Sequence, residues 1–187
     1  MKKRRKILEE TIKENEIIQL MFQTKNGEEL FKKIRELNVE GVMAKDEKSK
    51  YFPGERSRFW LKIKNLKTID CIIVGYSHEK RKISALCLGL YKGKKLIYIG
   101  RVGTGFTEKF IEELYKKLEA LKIKKIPVIN PPPDWKKHNI VWIKPDVVCE
   151  VKFLELTKGL ELRAPSFQKI RIDKPPSECN FEQVKEK

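Results

Sequence analysis

Cysteine and histidine are scarce in this chain. Cys71, Cys87, Cys149 and Cys179 stand far apart with no C-x-x-C pair, and His78 and His138 are the two histidines among 187 residues. That spacing argues against a zinc site and reads as reduced cysteines, several of them buried in strands. No apolar run approaches the roughly 18 residues of a membrane-spanning helix. The opening "MKKRRKILEETIKENE" lacks the apolar core of a secretory signal, so a soluble, cytoplasmic protein without a membrane partner is expected. Internal repeats and low-complexity tracts are missing as well. Acidic residues are also in short supply, 26 against 42 Lys+Arg, leaving a formal charge of +16. Such a surplus predicts a polyanionic partner held through counterion release, with nucleic acid foremost. Charge alone leaves ribosomal and anionic-membrane partners open. The length suits one or two compact units, and the abundance of Lys and Glu is compatible with a thermophile.

Hydrophobic patterning divides the chain near residue 66. Before it, residues 4–14 read as a helix and "EIIQLMFQ" as a strand. A second helix follows in "NGEELFKKIREL", with Asn26 as cap, Glu29 at the reciprocal position, and Leu30, Phe31, Ile34 and Leu37 on one face. "VEGVMAK" and "FWLKIKN" read as strands around the loop "KYFPGERS". After residue 66 come β-rich runs, "IDCIIVGYS", "KISALCLGLY" and "KLIYIGRVG", with a hairpin at "YKGKK". One helix interrupts them, capped by Thr107, stapled by Phe106 and Ile111, and apolar along Ile111, Leu114, Tyr115, Leu118 and Leu121. "NPPPDW" reads as a polyproline-like connection. "DVVCEVKFLELT" and "ELRAPSFQKIRID" supply the last strands. Five or so strands with one inserted helix suit a small barrel of the OB type.

The chemistry concentrates in "EGVMAKDEKSKYFPGERSRFWLKIK", residues 40–64, where Glu40 precedes Lys45, Arg56, Arg58, Lys62 and Lys64. On a strand, Lys62 and Lys64 share one face while Leu61 and Ile63 take the other. Two parallel lysines can clamp the spreading charge of a phosphoryl group. Glu40 is a candidate for a divalent ion, since Mg²⁺ needs only one or two carboxylates beside phosphate and water. Glu40 and Lys45, five apart, face opposite ways unless the strand ends or bulges. The same pattern also fits a solvated charged edge.

"EGVMAK" resembles motif IV, and "WLKIK" motif V, of the covalent nucleotidyltransferases. The intervening "YFPGERSRF" is similar to the Y-x-P-G-x-R-S linker of ATP-dependent DNA ligases. "VWIKPDVVCEVKFLELTKGLELRAPSFQKIRIDK" resembles the end of that family, including motif VI. The resemblance implies an α+β architecture: the C-terminal half of a nucleotidyltransferase (adenylation) domain over 1–66, an OB-fold β-barrel with one inserted helix over 67–175, and a polar tail over 176–187. It implies nick sealing in duplex DNA through enzyme–AMP and DNA–adenylate intermediates, with ATP and Mg²⁺. Glu40 would bind the metal. Lys45, Arg56, Lys62 and Lys64 would contact the nucleotide, with Lys62 and Lys64 taking part in the chemistry. Arg171, Asp173 and Lys174 would orient the pyrophosphate leaving group when the barrel closes. Arg163 and Arg101 are the barrel positions assigned to DNA, although Arg163 suits a solvated barrel edge equally well. Arg58 has no assigned role, and Trp60 reads as a packing residue.

The chain departs from the family at its nucleophile. Ligases of this family form a lysyl-AMP on the lysine of K-x-D-G, and no K-x-D-G occurs here; Lys144-Pro145-Asp146-Val147 lacks the glycine and lies downstream of motif V. The acidic motif III is missing too, and "RRKILEE" resembles the helix that follows it. The expectation is therefore a chain that begins about halfway through the adenylation domain and depends on a separate polypeptide for its lysine. The alternatives are a non-catalytic OB-fold nucleic-acid-binding protein or a truncated ligase remnant.

Overall fold

The computed structural model describes residues 2–79 and 81–185, which form two compact units divided between Asn65 and Leu66. Among the described residues no helix is long and apolar enough to cross a membrane.

Unit 1 holds helices α1 (Lys2–Thr11) and α2 (Gly27–Glu36) and strands β1 (Gly41–Lys45) and β2 (Trp60–Lys64). Asn26 caps α2 by accepting from the Glu29 N–H at 3.2 Å, and its side-chain amide donates to the Glu29 carboxylate at 2.9 Å. The helix ends on Asn38, whose φ of +55° a short polar side chain tolerates. There the Asn38 N–H donates to Arg35 O at 3.1 Å and the Val39 N–H to Ile34 O at 3.0 Å. This pair of bonds is a Schellman stop, and it turns the chain directly into Glu40 and β1.

The strand expected at "EIIQLMFQ" does not form. Residues 12–26 are irregular, and Ile17, Met21 and Phe22 are 93%, 82% and 71% exposed. A strand needs a neighbour for its backbone groups, and β1 and β2 pair only with each other. The segment instead turns on the Asn15 side chain, which accepts from the Ile17 and Ile18 N–H groups.

Unit 2 is a curled antiparallel sheet in the order β5-β4-β3-β6-β7: β3 is Lys67–Ser77, β4 Ala85–Lys92, β5 Lys95–Val102, β6 Ile140–Phe153 and β7 Ser166–Ile170. Helix α3 (Glu108–Glu119) lies between β5 and β6 in sequence and buries Ile111, Leu114 and Leu118 in the core. Thr107 caps it through the Phe110 N–H, as its sequence predicts. Two bonds bridge the open side of the sheet, from Leu162 N–H in the β6–β7 connection to Ile99 O of β5 at 2.9 Å and from Phe167 N–H of β7 to Thr104 O just past β5 at 3.0 Å. The OB-type barrel therefore closes at Gly105, where φ is +96° and an added Cβ would lie 2.2 Å from Phe167 O. Beside β5, Asn130 acts as a strand substitute. Its amide accepts from the Tyr98 N–H and donates to Tyr98 O, which covers backbone groups that would otherwise form an open edge.

Two further expectations change. β6 starts at Ile140 and not near Asp146, because Lys144-Pro145-Asp146 sits in a bulge between the register pairs Trp142–Gly75 and Val147–Ile73. No ladder donor is required of Pro145 there. Residues 176–185 are not a free polar tail: Cys179 is fully buried, Phe181 and Val184 pack on the core, and the Tyr91 N–H donates to Cys179 O at 2.8 Å. The apolar residues among the charges supply the reason. Glu186 and Lys187 lie outside the described residues. All four cysteines are buried free thiols, and burial pushes Cys87 up to about 12.

Gly105→Ala should destabilise unit 2 by about 3 kcal/mol. Gly93→Ala, in the β4–β5 turn with φ +58° and nothing within 4 Å of the added Cβ, should cost about 1 kcal/mol. Urea unfolding followed by near-UV circular dichroism measures both, and equal losses would refute barrel closure at Gly105.

Candidate functional site

The β1–β2 register pairs Gly41 with Lys64, Met43 with Lys62 and Lys45 with Trp60. Directly opposed residues share a face, so Lys45, Lys62 and Lys64 all lie on one side of the ribbon. Val42, Ala44, Leu61 and Ile63 occupy the other side. Three cations expected from two separate motifs are thus gathered by a single pairing. Lys62 and Lys64 share a face as their spacing predicts.

Glu40 reaches this face through Gly41. The glycine has φ +150°, and an added Cβ would lie 2.1 Å from Ile63 O. Only a residue without a side chain lets the two backbones approach so closely. Buried Asn65 fixes the entry: its N–H donates to Glu40 O at 2.8 Å and its side-chain amide to Val39 O at 3.2 Å. The Glu40 carboxylate then forms an ion pair with Lys62. The strand start at Gly41 is the condition under which Glu40 and Lys45 need not face opposite ways.

Trp60 is half-buried, and the Lys45 ammonium sits 4.4 Å from its ring centre. Tyr51 lies against the same ring at 5.8 Å and carries the Arg4 guanidinium at 3.8 Å on its own face. Arg56 lines a hollow of about 390 Å³ with Lys50, Tyr51, Phe52 and Trp60. Trp60 therefore packs against Lys45 and also gives the hollow that Arg56 lines an aromatic border. Arg58 is exposed in the loop outside this lining. Among the described residues no group of three or more His, Cys, Asp or Glu could hold a metal ion. Glu40 alone offers one hard oxygen ligand. That suits an ion arriving with phosphate oxygens and does not suit a site built from protein alone.

In unit 2, the motif VI residues lie in one ion-pair network. Arg171 donates from Nε and Nη2 to the two oxygens of Asp173 at 2.9 and 2.8 Å, and from Nη1 to Asp70 Oδ1 at 2.9 Å. Lys174 donates to the other Asp70 oxygen at 2.9 Å. Glu150 stands 3.6 Å from Arg171 Nη1 and 3.7 Å from the Lys169 ammonium. Asp70 and Glu150 were missed by sequence reasoning. The available signal was a lone carboxylate in the apolar run "IDCIIVGY", which requires cations once that run is buried. Gln183, from the supposed tail, clasps Asp70 by accepting from its N–H and donating to its carbonyl, both at 3.2 Å.

The barrel residues assigned to DNA are separate from this network. Arg163 pairs with Glu155 at 2.7 Å and is half-exposed, and Arg101 lies half-buried on β5 opposite Cys87. Lys144 forms an ion pair with Asp146 at 2.6 Å within the β6 bulge.

Arg171 lowers the Asp173 pKa from the ordinary 3.8 to about 2, and the hydrogen bond Lys174 donates to Asp70 raises the Lys174 pKa. A depressed carboxylate stabilises the fold above its unfolded pKa, and that contribution disappears as pH falls through the folded value. Asp173 therefore adds stability above about pH 3.8 that is lost toward pH 2. Arg171→Gln should return its midpoint toward 3.8 in a carboxyl-carbon NMR titration. An unmoved midpoint would rule out Arg171 as the cause.

The family model for the ATP dependent DNA ligase domain matches residues 1–64, and that for the ATP dependent DNA ligase C terminal region matches residues 79–174. The multifunctional non-homologous end joining protein LigD of Mycolicibacterium smegmatis is 36% identical over 161 residues, covering 84% of this chain and 21% of that protein. A DNA ligase of Archaeoglobus fulgidus is 34% identical over 199 residues, covering 96% of this chain and 34% of its own. Among solved structures, the ligase domain of M. tuberculosis LigD is similar with a TM-score of 0.58 at 32% identity, over 86% of this chain and 52% of that one. A mycobacterial DNA ligase D complexed with ATP and MES gives 0.57 at 34%, over 82% and 50%. The chain thus spans about a fifth of the LigD relative and about half of the solved ligase domain. With motifs IV, V and VI in order on an adenylation-domain segment and an OB-fold barrel, this chain belongs to the ATP-dependent DNA ligase family.

Proposed function

We propose that the chain acts as the C-terminal part of an ATP-dependent DNA ligase, sealing nicks in duplex DNA together with a separate polypeptide that carries K-x-D-G. The observation that carries this reading is the β1–β2 register, which aligns Lys45, Lys62 and Lys64 on one face beside Glu40. Such a face suits a nucleotide phosphate chain, because fixed cations meet charge spread over several oxygens without reorganising. Lys64 takes the α-phosphate, while Lys45, Arg56 and Lys62 contact the nucleotide. Glu40 is the residue to hold Mg²⁺, which when bound offsets phosphate charge. Arg171 and Lys174 serve the pyrophosphate group, with Asp173 paired to the Arg171 fork. Arg163 and Arg101 serve DNA backbone, since nick sealing has to be independent of base sequence.

Two observations support a complementary half bearing K-x-D-G. The 187 residues contain no K-x-D-G. The ribbon has unpaired outer edges among the described residues, with Leu61 and Ile63 exposed at 55% and 43% on its apolar face. Open edges and an uncovered apolar face favour assembly with a complementary chain. Cytoplasmic placement is part of the same proposal.

Joining of a nicked, labelled duplex with ATP and Mg²⁺ tests this reading with and without a K-x-D-G-bearing polypeptide. Sealing is expected only with both chains. Lys62→Ala should lower it by about 10²–10³-fold. Sealing by the chain alone, or unchanged sealing by the variant, overturns the assignment. DNA binding without sealing in either mixture would instead favour a binding module. Duplex affinity should fall log-linearly with salt and be nearly the same for unrelated sequences, as fluorescence anisotropy would measure.

A further inference from the structure

Asp70 is placed where sheet stability alone gives no reason for a carboxylate. It lies in β3, whose residues from Ile69 to Ser77 are all buried, and it is directly opposite Glu150 across the β3–β6 pairing. Two like charges facing each other across a ladder repel, and each is costly to bury without a partner. Both are met by Arg171, and Asp70 in addition by Lys174. The Asp70 carboxylate divides its oxygens, Oδ1 to Arg171 and Oδ2 to Lys174, each at 2.9 Å. One planar group therefore sets the spacing of two cations. Its backbone N–H and carbonyl are both held by Gln183, so the carboxylate cannot shift along the strand without breaking those bonds.

Asp173 differs in kind. Its side chain is 64% exposed, against 12% for Asp70, yet it occupies the Nε–Nη2 fork of Arg171. That fork is the geometry with which an arginine takes a phosphate through two parallel bonds.

We propose that Asp70 is a positioning residue, which holds Arg171 and Lys174 as a fixed pair for a diphosphate group, while Asp173 keeps the Arg171 fork until a phosphate displaces it. This rests on the reading that motif VI meets the pyrophosphate portion of the nucleotide. The two carboxylates then have opposite effects on anion binding, although each substitution to the amide removes the same charge. Simple electrostatics gives both variants tighter binding. Positioning gives a loss at Asp70 and a gain at Asp173.

The test is calorimetric titration of the whole chain with inorganic pyrophosphate at pH 7 and fixed ionic strength, with circular dichroism melting of each variant. Asp70→Asn should bind about tenfold more weakly than the native chain. Asp173→Asn should bind several-fold more tightly, and Arg171→Ala should lose about tenfold. If Asp70→Asn is unfolded, Asp70→Glu carries the test with the same sign, because it keeps the charge and displaces the carboxylate by one methylene. A shift of the same sign and size in the Asp70 and Asp173 variants overturns the role of Asp70 while leaving the motif VI reading intact. Absence of pyrophosphate binding, or binding that Arg171→Ala leaves unchanged, overturns the motif VI reading and the role of Asp70 with it.

Discussion

A carboxylate inside an apolar strand cannot stand alone, and Asp70 is such a group. Burial makes the charged form costly, and two cations from a segment about a hundred residues later in the chain remove that cost. To reach Asp70, β6 must cross beside β3 and β7 beside β6, which fixes one side of the barrel. The segment beyond β7 must then fold back, and Gln183 completes the backbone around Asp70. Asp70 meets the motif VI cations through its carboxylate and the C-terminal segment through its backbone.

In unit 1 the controlling constraint is close approach. Gly41 brings the β1 backbone against Ile63 and Lys64, and Asn65 holds residues 39 and 40 in place. The cations of the ribbon are ordered by β-alternation, whose period of two leaves no freedom once the register is set. Glu40 escapes that alternation because the strand begins after it. The pocket wall is therefore built from backbone geometry first and charge second.

Local features were legible in the sequence to the extent that their causes are local. Asn26 and Thr107 cap the helices they precede, and Lys62 and Lys64 share a face. The five-strand run with one inserted helix was readable from periodicity and turn residues. The residues of "EIIQLMFQ" have strand-like composition, but a strand is a pairing between segments, and no neighbour is present for this one among the described residues. The C-terminal segment departs from its composition for the opposite reason. Its charges dominate the composition, while Cys179, Phe181 and Val184 are too few to show a period and still enough to dock.

The sequence by itself determined the family, the order of its motifs and the missing K-x-D-G, because these depend on residue identity and spacing alone. It also determined that Lys62 and Lys64 share a face, since strand period is a property of the backbone, whereas Lys45 joins them only through the β1–β2 register. The tertiary structure decided which acids meet the motif VI cations. Asp70 lies 101 residues from Arg171 and 104 from Lys174, and they meet only through the β3-β6-β7 order of the sheet. Pairing over such distances is set by strand neighbours and burial, which a linear pattern of charges does not encode.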